Sequence, residues 1–137
     1  IEVDDILLNK ASIVERCIRR IKEEYRLCPE LDSYTHLDAL ILNIERACQA
    51  TIDMAMHIIA IKHLGVPQTS SEAFELLCKD GSISKKLFSS LRSMIGFRNI
   101  AVHEYQSLDN EIIKYVANSG YKDFISFCES LNLKIKV

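Results

Sequence analysis

Four polar residues that could do chemistry lie close together in the sequence: Arg98, Asn99, His103 and Tyr105. A histidine titrates near neutral pH, so it can accept or donate a proton. An arginine presents a fork of N–H donors that suits the oxygens of a phosphate. These residue types predict acid–base chemistry on a phosphate-containing substrate, with Asn99 able to orient the imidazole or to hold a phosphate oxygen.

The spacing of these residues predicts two neighbouring pairs on one helix. On an ideal helix Arg98 and Tyr105 would lie about 20° apart, and Asn99 and His103 about 40° apart. Arg98 also falls on an apolar stripe, where a guanidinium is costly unless it is paired or lines a polar cleft. The other members of this stripe are Leu87, Leu91, Met94, Ile95, Val102 and Tyr105.

The elements that must position the motif are predicted to be helical. Apolar residues recur at three- and four-residue steps over about 4–27, from 32 or 35 to 64, from 84 to 105, and beyond 108, with an interruption near 118–120. A short helix over 72–78 is expected, capped by Ser70 or Ser71, and Ser84 should cap the helix that carries the motif. We therefore predict one all-α domain over 1–137, an up-and-down bundle of about four main helices plus a short one.

The second helical segment is unusually apolar. Ala50, Met54 and Ile58 widen a stripe that already runs from Leu37 to Ile59. A helix of this kind must be covered on more than one side. This pattern predicts a homodimer whose interface uses the second segment and the helix that carries Arg98.

The composition restricts the class of protein. With 48% hydrophobic residues and a net charge of -2, the whole chain does not attract nucleic acid, so any such affinity must come from a local patch or cleft. The five cysteines form no C-x-x-C pair and are predicted to be reduced, mostly buried thiols. His57 and His63 lack the spacing of a helical metal pair, and we expect both to be structural. We expect no metal, no membrane span and a cytoplasmic location.

The segment RNIAVHEY has the form Arg-x4-His-x-Tyr with an asparagine after the arginine. It resembles the signature of the HEPN superfamily, and particularly of its HepT-type ribonuclease toxins. The stretches LILNIERACQATIDMAMHII, GVPQTSSEAFELL and MIGFRN are also similar to HepT. The resemblance therefore covers most of the chain.

This resemblance implies a prokaryotic type II/VII-like toxin–antitoxin system. It implies a HEPN-like homodimer in which Arg98 and His103 of both subunits face a shared cleft and cleave RNA without a metal or other cofactor. The implied partner is a minimal nucleotidyltransferase antitoxin, MntA-like, that transfers AMP to Tyr105. The residue types fit, because the 2′-hydroxyl of RNA is itself a nucleophile and needs only a proton acceptor, a proton donor and charge stabilisation.

Two other functions are consistent with the same fold. One is a non-catalytic accessory subunit that offers a nucleotide or substrate pocket to a nucleotidyltransferase chain. The other is a purely structural scaffold, which leaves the placement of Arg98 unexplained.

A basic cluster on the first helix is interleaved with glutamates, which favours a solvated face over the outer wall of an RNA groove. This cluster consists of Arg16, Arg19, Arg20, Lys22 and Arg26.

Overall fold

The computed structural model describes residues 2–137, and in this range it contains helices and turns but no strand. A 3₁₀ turn (Tyr105–Ser107) follows the fourth α-helix, and a π-helical segment (Val116–Gly120) joins the last two. The α-helices are α1 (Asp5–Leu27), α2 (Tyr34–Lys62), α3 (Ser70–Lys79), α4 (Lys85–His103), α5 (Asn110–Tyr115) and α6 (Lys122–Ser130).

Side-chain caps fix where two of these helices begin. The Ser84 hydroxyl accepts a hydrogen bond from the backbone N–H three residues on, so the predicted cap of α4 is confirmed. The predicted cap of α3 is wrong, because Ser70 and Ser71 lie inside that helix. Thr69 caps it instead, since its backbone is extended and its Oγ1 accepts from the Glu72 amide at 3.1 Å.

The long helix α2 ends earlier than its apolar pattern predicts. The pattern continues to Leu64, but α2 stops at Lys62 because His63 adopts a left-handed backbone conformation with φ 55°. Its N–H still bonds to the Ile59 carbonyl. Such a residue commonly ends a helix. His63 therefore has a structural position, as expected.

The apolar surplus of α2 is covered within one chain. Helix α1 packs along α2, and α3, α4 and α6 also contact it. Ala50, Met54 and Ile58 are buried at 3%, 0% and 0% exposure. These residues of α2 therefore need no second subunit to cover them, contrary to the prediction, because four other helices of the same chain contact α2.

The α-helical structure of the C-terminal part is interrupted where the sequence predicts it. The π-helical segment ends at Gly120, where an added Cβ would lie 3.1 Å from the Tyr115 ring. Beyond it, Phe127 packs edge-on against Phe74, with ring centroids 5.6 Å apart. The bundle of four main helical segments and the short α3 thus agrees with the predicted architecture.

The end of α4 departs from the prediction of a helix that continues to Tyr105. Leu91, Met94 and Ile95 are buried as expected. The helix nevertheless stops at His103, because Glu104 leaves helical geometry at φ -139° and ψ 52°. Val102 and Tyr105 remain 42% and 43% exposed, so the far end of the predicted stripe is uncovered.

The cysteines and histidines supply no metal site in the part of the chain that the structure describes. All five cysteines are free, and only Cys78 is not fully buried. The His57 ring bonds to the Asp4 carboxylate near the start of α1. Within residues 2–137 there is no cluster of three or more candidate ligands among His, Cys, Asp and Glu. No helix in this range has the length and apolarity that a membrane crossing requires.

Candidate functional site

Arg98 projects from α4 toward α2 and is half-buried. Its Nη2 donates a hydrogen bond to Oε1 of Gln49 at 2.8 Å. Its Nη1 donates to Oδ1 of Asn99 at 3.3 Å. Its Nε is buried and has no hydrogen-bond partner among residues 2–137. The structure therefore brings Arg98 and Asn99 together, and it adds a glutamine that the sequence did not single out.

Gln49 is held in place by further contacts. Its Nε2 donates to Oδ1 of Asp53 at 2.9 Å, and Oδ2 of Asp53 accepts from Lys10 of α1 at 3.0 Å. Because the amide nitrogen is committed to the carboxylate, the amide oxygen must face Arg98. This network joins α1, α2 and α4. The signal in the sequence was the four-residue spacing of Gln49 and Asp53, which places both side chains on one face of α2.

The guanidinium of Arg98 has no carboxylate within 4.0 Å in the described range, since none of the ion pairs found there includes it. Neutral amides hold it instead. Nη1 and Nη2 of Arg98 each carry a second N–H group, in addition to the one that donates to Asn99 or Gln49. A cation that is partly removed from water without a counter-ion is expensive. The arrangement is therefore suited to an incoming anion.

A buried thiol of α2 also lies near Arg98. It belongs to Cys48, whose Sγ donates to the Met94 carbonyl at 3.7 Å. Burial raises the pKa of the Cys48 thiol above its ordinary value, against the opposing effect of the positive charge of Arg98. Cys48 is thus a neutral, inert thiol beside the cation and leaves the charge of Arg98 intact.

His103 is the last residue of α4 and is exposed. It is five residues from Arg98, which corresponds to about 7.5 Å of rise and about 140° around the helix. Within the described chain its ring makes no hydrogen bond to Arg98 or Asn99. An exposed imidazole of this kind is free to meet a substrate from solvent.

Tyr105 lies off the helix, in the 3₁₀ turn. Its hydroxyl donates a hydrogen bond to the carboxylate of Asp38, near the start of α2. Burial, together with the bond to Asp38 and its negative charge, raises the pKa of Tyr105 to about 12. The phenol is therefore neutral near pH 7, and its proton already points at a carboxylate.

Tyr105 and Arg98 are anchored at separate places on α2. Asp38 and Gln49 lie eleven residues apart on that helix, which corresponds to about 16 Å. The predicted pairing of Arg98 with Tyr105 is therefore wrong, because it assumed a helix that continues through the motif. His103 lies between them along the chain. The structure arranges the motif along α2 and does not gather it at one point.

A family model described as "Ribonuclease HepT-like" matches residues 14–131. The chain belongs to this HepT-like ribonuclease family. The predicted HepT-type HEPN relationship and the ribonuclease class are thereby confirmed, and the described helices confirm the all-α fold.

Known proteins resemble this chain both in sequence and in structure. The mRNA nuclease HepT of Shewanella oneidensis is 39% identical over 128 residues, covering 93% of this chain and 96% of the relative. The tri-AMPylated Shewanella oneidensis HEPN toxin in complex with MNT antitoxin is 38% identical with a TM-score of 0.90, covering 95% and 98%. A toxin–antitoxin structure with AMP-PNP has a TM-score of 0.90 at 38% identity, covering 94% and 98%.

The contact between Gln49 and Arg98 has a measurable consequence for folding. We expect Gln49→Leu to lower the free energy of unfolding by about 1–3 kcal/mol, because it removes the shorter of the two hydrogen bonds that the half-buried guanidinium donates. Urea denaturation measures this effect, and Gln106→Leu at an exposed position is the matched control. Equal unfolding midpoints for Gln49→Leu and wild type would contradict the importance of this bond.

Proposed function

We propose that this protein is a metal-independent endoribonuclease toxin that cleaves RNA with Arg98 and His103 and is silenced by AMP transfer to Tyr105. The observation that supports it is the half-buried guanidinium of Arg98, which is held by neutral amides and faces no carboxylate in the described range. The name of the Shewanella relative points to messenger RNA as the substrate class. A minimal nucleotidyltransferase antitoxin, as in the related complex with MNT, is the proposed partner.

The cleavage step follows from the residue types. An imidazole takes the proton of the 2′-hydroxyl, the resulting oxygen attacks the adjacent phosphorus, and the bond to the 5′-oxygen breaks. A second imidazole, in its protonated form, gives a proton to that leaving oxygen. The products are a 2′,3′-cyclic phosphate and a 5′-hydroxyl. The free N–H groups of Arg98 stabilise the extra negative charge on the phosphorane, and Asn99 keeps the guanidinium oriented.

A homodimer supplies the second imidazole. His103 and Arg98 leave α4 in directions about 140° apart, so a cleft between two copies brings together groups that one copy separates. Apolar side chains at this end of α4 are also available for an interface, because Ile100 and Val102 are 38% and 42% exposed. We propose that the second copy covers this surface.

The modification of Tyr105 uses its neighbour Asp38. We propose that the Tyr105 oxygen attacks the α-phosphorus of ATP held by the partner, while Asp38 accepts the phenolic proton and pyrophosphate leaves. The adenylylated oxygen no longer has a proton to donate, and its phosphodiester is negative. Repulsion from Asp38 then displaces the 3₁₀ turn from α2. The added nucleotide blocks the cleft beside His103, which inhibits cleavage without direct contact with Arg98.

We predict that His103→Ala and Arg98→Ala each lower RNA cleavage at least about a hundredfold, through loss of proton transfer and of charge stabilisation respectively. The measurement is cleavage of a labelled RNA by purified protein in the presence of a chelator. His63→Asn and Arg92→Ala are matched controls, since both residues are exposed and lie outside the motif. All variants should sediment as the wild-type dimer.

Two results would oppose this account of cleavage. If His103→Ala cleaved RNA as fast as wild type, the motif would not be the catalytic centre. If the wild-type protein sedimented as a monomer at micromolar concentration, the shared cleft would be excluded.

For regulation, we predict that Tyr105→Phe still cleaves RNA but gains no AMP when incubated with the partner and ATP. Asp38→Asn should accept AMP more slowly than wild type, with a rate that rises more steeply with pH, because an amide cannot take the phenolic proton. Intact-mass measurements over time follow both variants, with Tyr115→Phe, an exposed tyrosine of α5, as the control. AMP on Tyr105→Phe at the wild-type rate would show that another residue is modified.

A further inference from the structure

A groove with arginines on its walls runs between α1 and α2 and encloses about 390 Å³. Arg16 and Arg20 come from α1, and Arg46 comes from α2. Leu42 and Asn43 line the same space. We call this surface the arginine groove. It lies outside the motif that contains Arg98.

The charges in the arginine groove are largely unneutralised. Arg16 and Arg46 have no carboxylate within 4.0 Å in the described range, as the ion pairs found there involve neither. Arg20 donates to Glu24 at 2.9 Å, and the second oxygen of Glu24 is engaged by His36. Two unpaired cations that face each other across a groove repel unless an anion lies between them.

The neighbouring Cys17 indicates that Arg16 and Arg46 act on the same space. Burial raises the pKa of the Cys17 thiol, and the positive charges of Arg16 and Arg46 both oppose that shift. One cation comes from each helix. Both guanidinium groups therefore lie near the Cys17 thiol, which lines the same groove.

Two other members of the basic cluster on α1 behave differently. Arg19 bonds to Glu15 and to the Lys136 carbonyl, and Lys22 lies over the Tyr121 ring at 5.6 Å. These residues form the solvated face that the sequence favoured. The structure thus divides the cluster, and Arg16 and Arg20 belong to the arginine groove.

The arginine groove adjoins the proposed active site. Arg46 precedes Gln49, the residue that holds Arg98, by three positions, which corresponds to about 4.5 Å of rise and about 60° around α2. A ligand bound at Arg98 can therefore continue over the surface of α2 to Arg46 and then to Arg16. The spacing of Arg98, Arg46 and Arg16 suits a flexible polyanion whose charges repeat along a chain.

We propose that the arginine groove binds the phosphodiester backbone of the single-stranded RNA that flanks the cleavage position. This inference rests on the proposed ribonuclease function and extends its substrate site. Arg16 and Arg46 contact the phosphates, and the half-exposed Leu42 packs against a ribose or base. Asn43, whose Nδ2 already donates to the Ala39 carbonyl, leaves its amide oxygen to accept from a 2′-hydroxyl.

Binding of a fluorescent single-stranded oligoribonucleotide tests the proposal. The His103→Ala protein is used as the background, so that the RNA stays intact. Adding Arg16→Ala and Arg46→Ala should weaken binding at least about tenfold and reduce the slope of log affinity against log salt by about 1.4, or about 0.7 for each phosphate that an arginine no longer neutralises. The control combines Arg19→Ala with Arg92→Ala, which removes the same charge outside the groove.

Cleavage of a dinucleotide by protein that retains His103 separates substrate binding from the reaction itself. The groove variants should cleave the dinucleotide as wild type does, while KM for a long RNA rises and kcat is unchanged. The proposal would be overturned if the groove variants had the same slope of log affinity against log salt as the control pair. It would also be overturned if they lost as much cleavage activity on the dinucleotide as on the long RNA. If the alanine pair does not fold, Arg16→Gln and Arg46→Gln give the same test. If the wild-type protein cleaves no RNA, the proposed ribonuclease function is contradicted. The salt dependence of RNA binding still tests the arginine groove in that case.

Discussion

The arrangement of this molecule depends on a half-buried positive charge that no carboxylate neutralises in the described range. Arg98 is held by the amide oxygens of Gln49 and Asn99, which satisfy hydrogen bonds without cancelling its charge. Asp53, the carboxylate that bonds to Gln49, pairs with Lys10 and orients the Gln49 amide. The fold thus keeps a cationic hydrogen-bond donor ready for phosphate, and the family membership gives this arrangement its functional meaning.

Helix α2 is the element on which the functional residues are arranged. Its start binds Tyr105 through Asp38, its middle carries Arg46 toward the arginine groove, and the next turn holds Arg98 through Gln49. Catalysis, modification and RNA binding are therefore proposed to share one rigid support. A change at the Tyr105 turn can affect His103 because only Glu104 separates them in the chain, whereas Arg98 is fixed a turn or more away.

Much of this arrangement follows from local sequence. The motif, the helical class, the Ser84 cap and the interruption near Gly120 each depend on residues within a few positions of one another. The end of α4 was not predictable in this way, since Val102 continues the apolar stripe of the helix although this far end of the stripe is left 42% exposed. The contacts of Gln49 and Asp38 were also missed, because partners 49 and 67 positions apart meet only when α4 packs on α2. The covering of α2 by α3 and α6 likewise depends on tertiary packing.

The central claim is that the 2′-hydroxyl of RNA is the nucleophile and that Arg98 and His103 replace a metal. Its most direct test is cleavage, in the presence of a chelator, of an RNA in which the 2′-hydroxyl at the cleaved nucleotide is replaced by hydrogen. The account predicts no cleavage at that position, and a 2′,3′-cyclic phosphate end on the unmodified RNA. Cleavage of the modified RNA at the normal rate, leaving a 5′-phosphate, would contradict it.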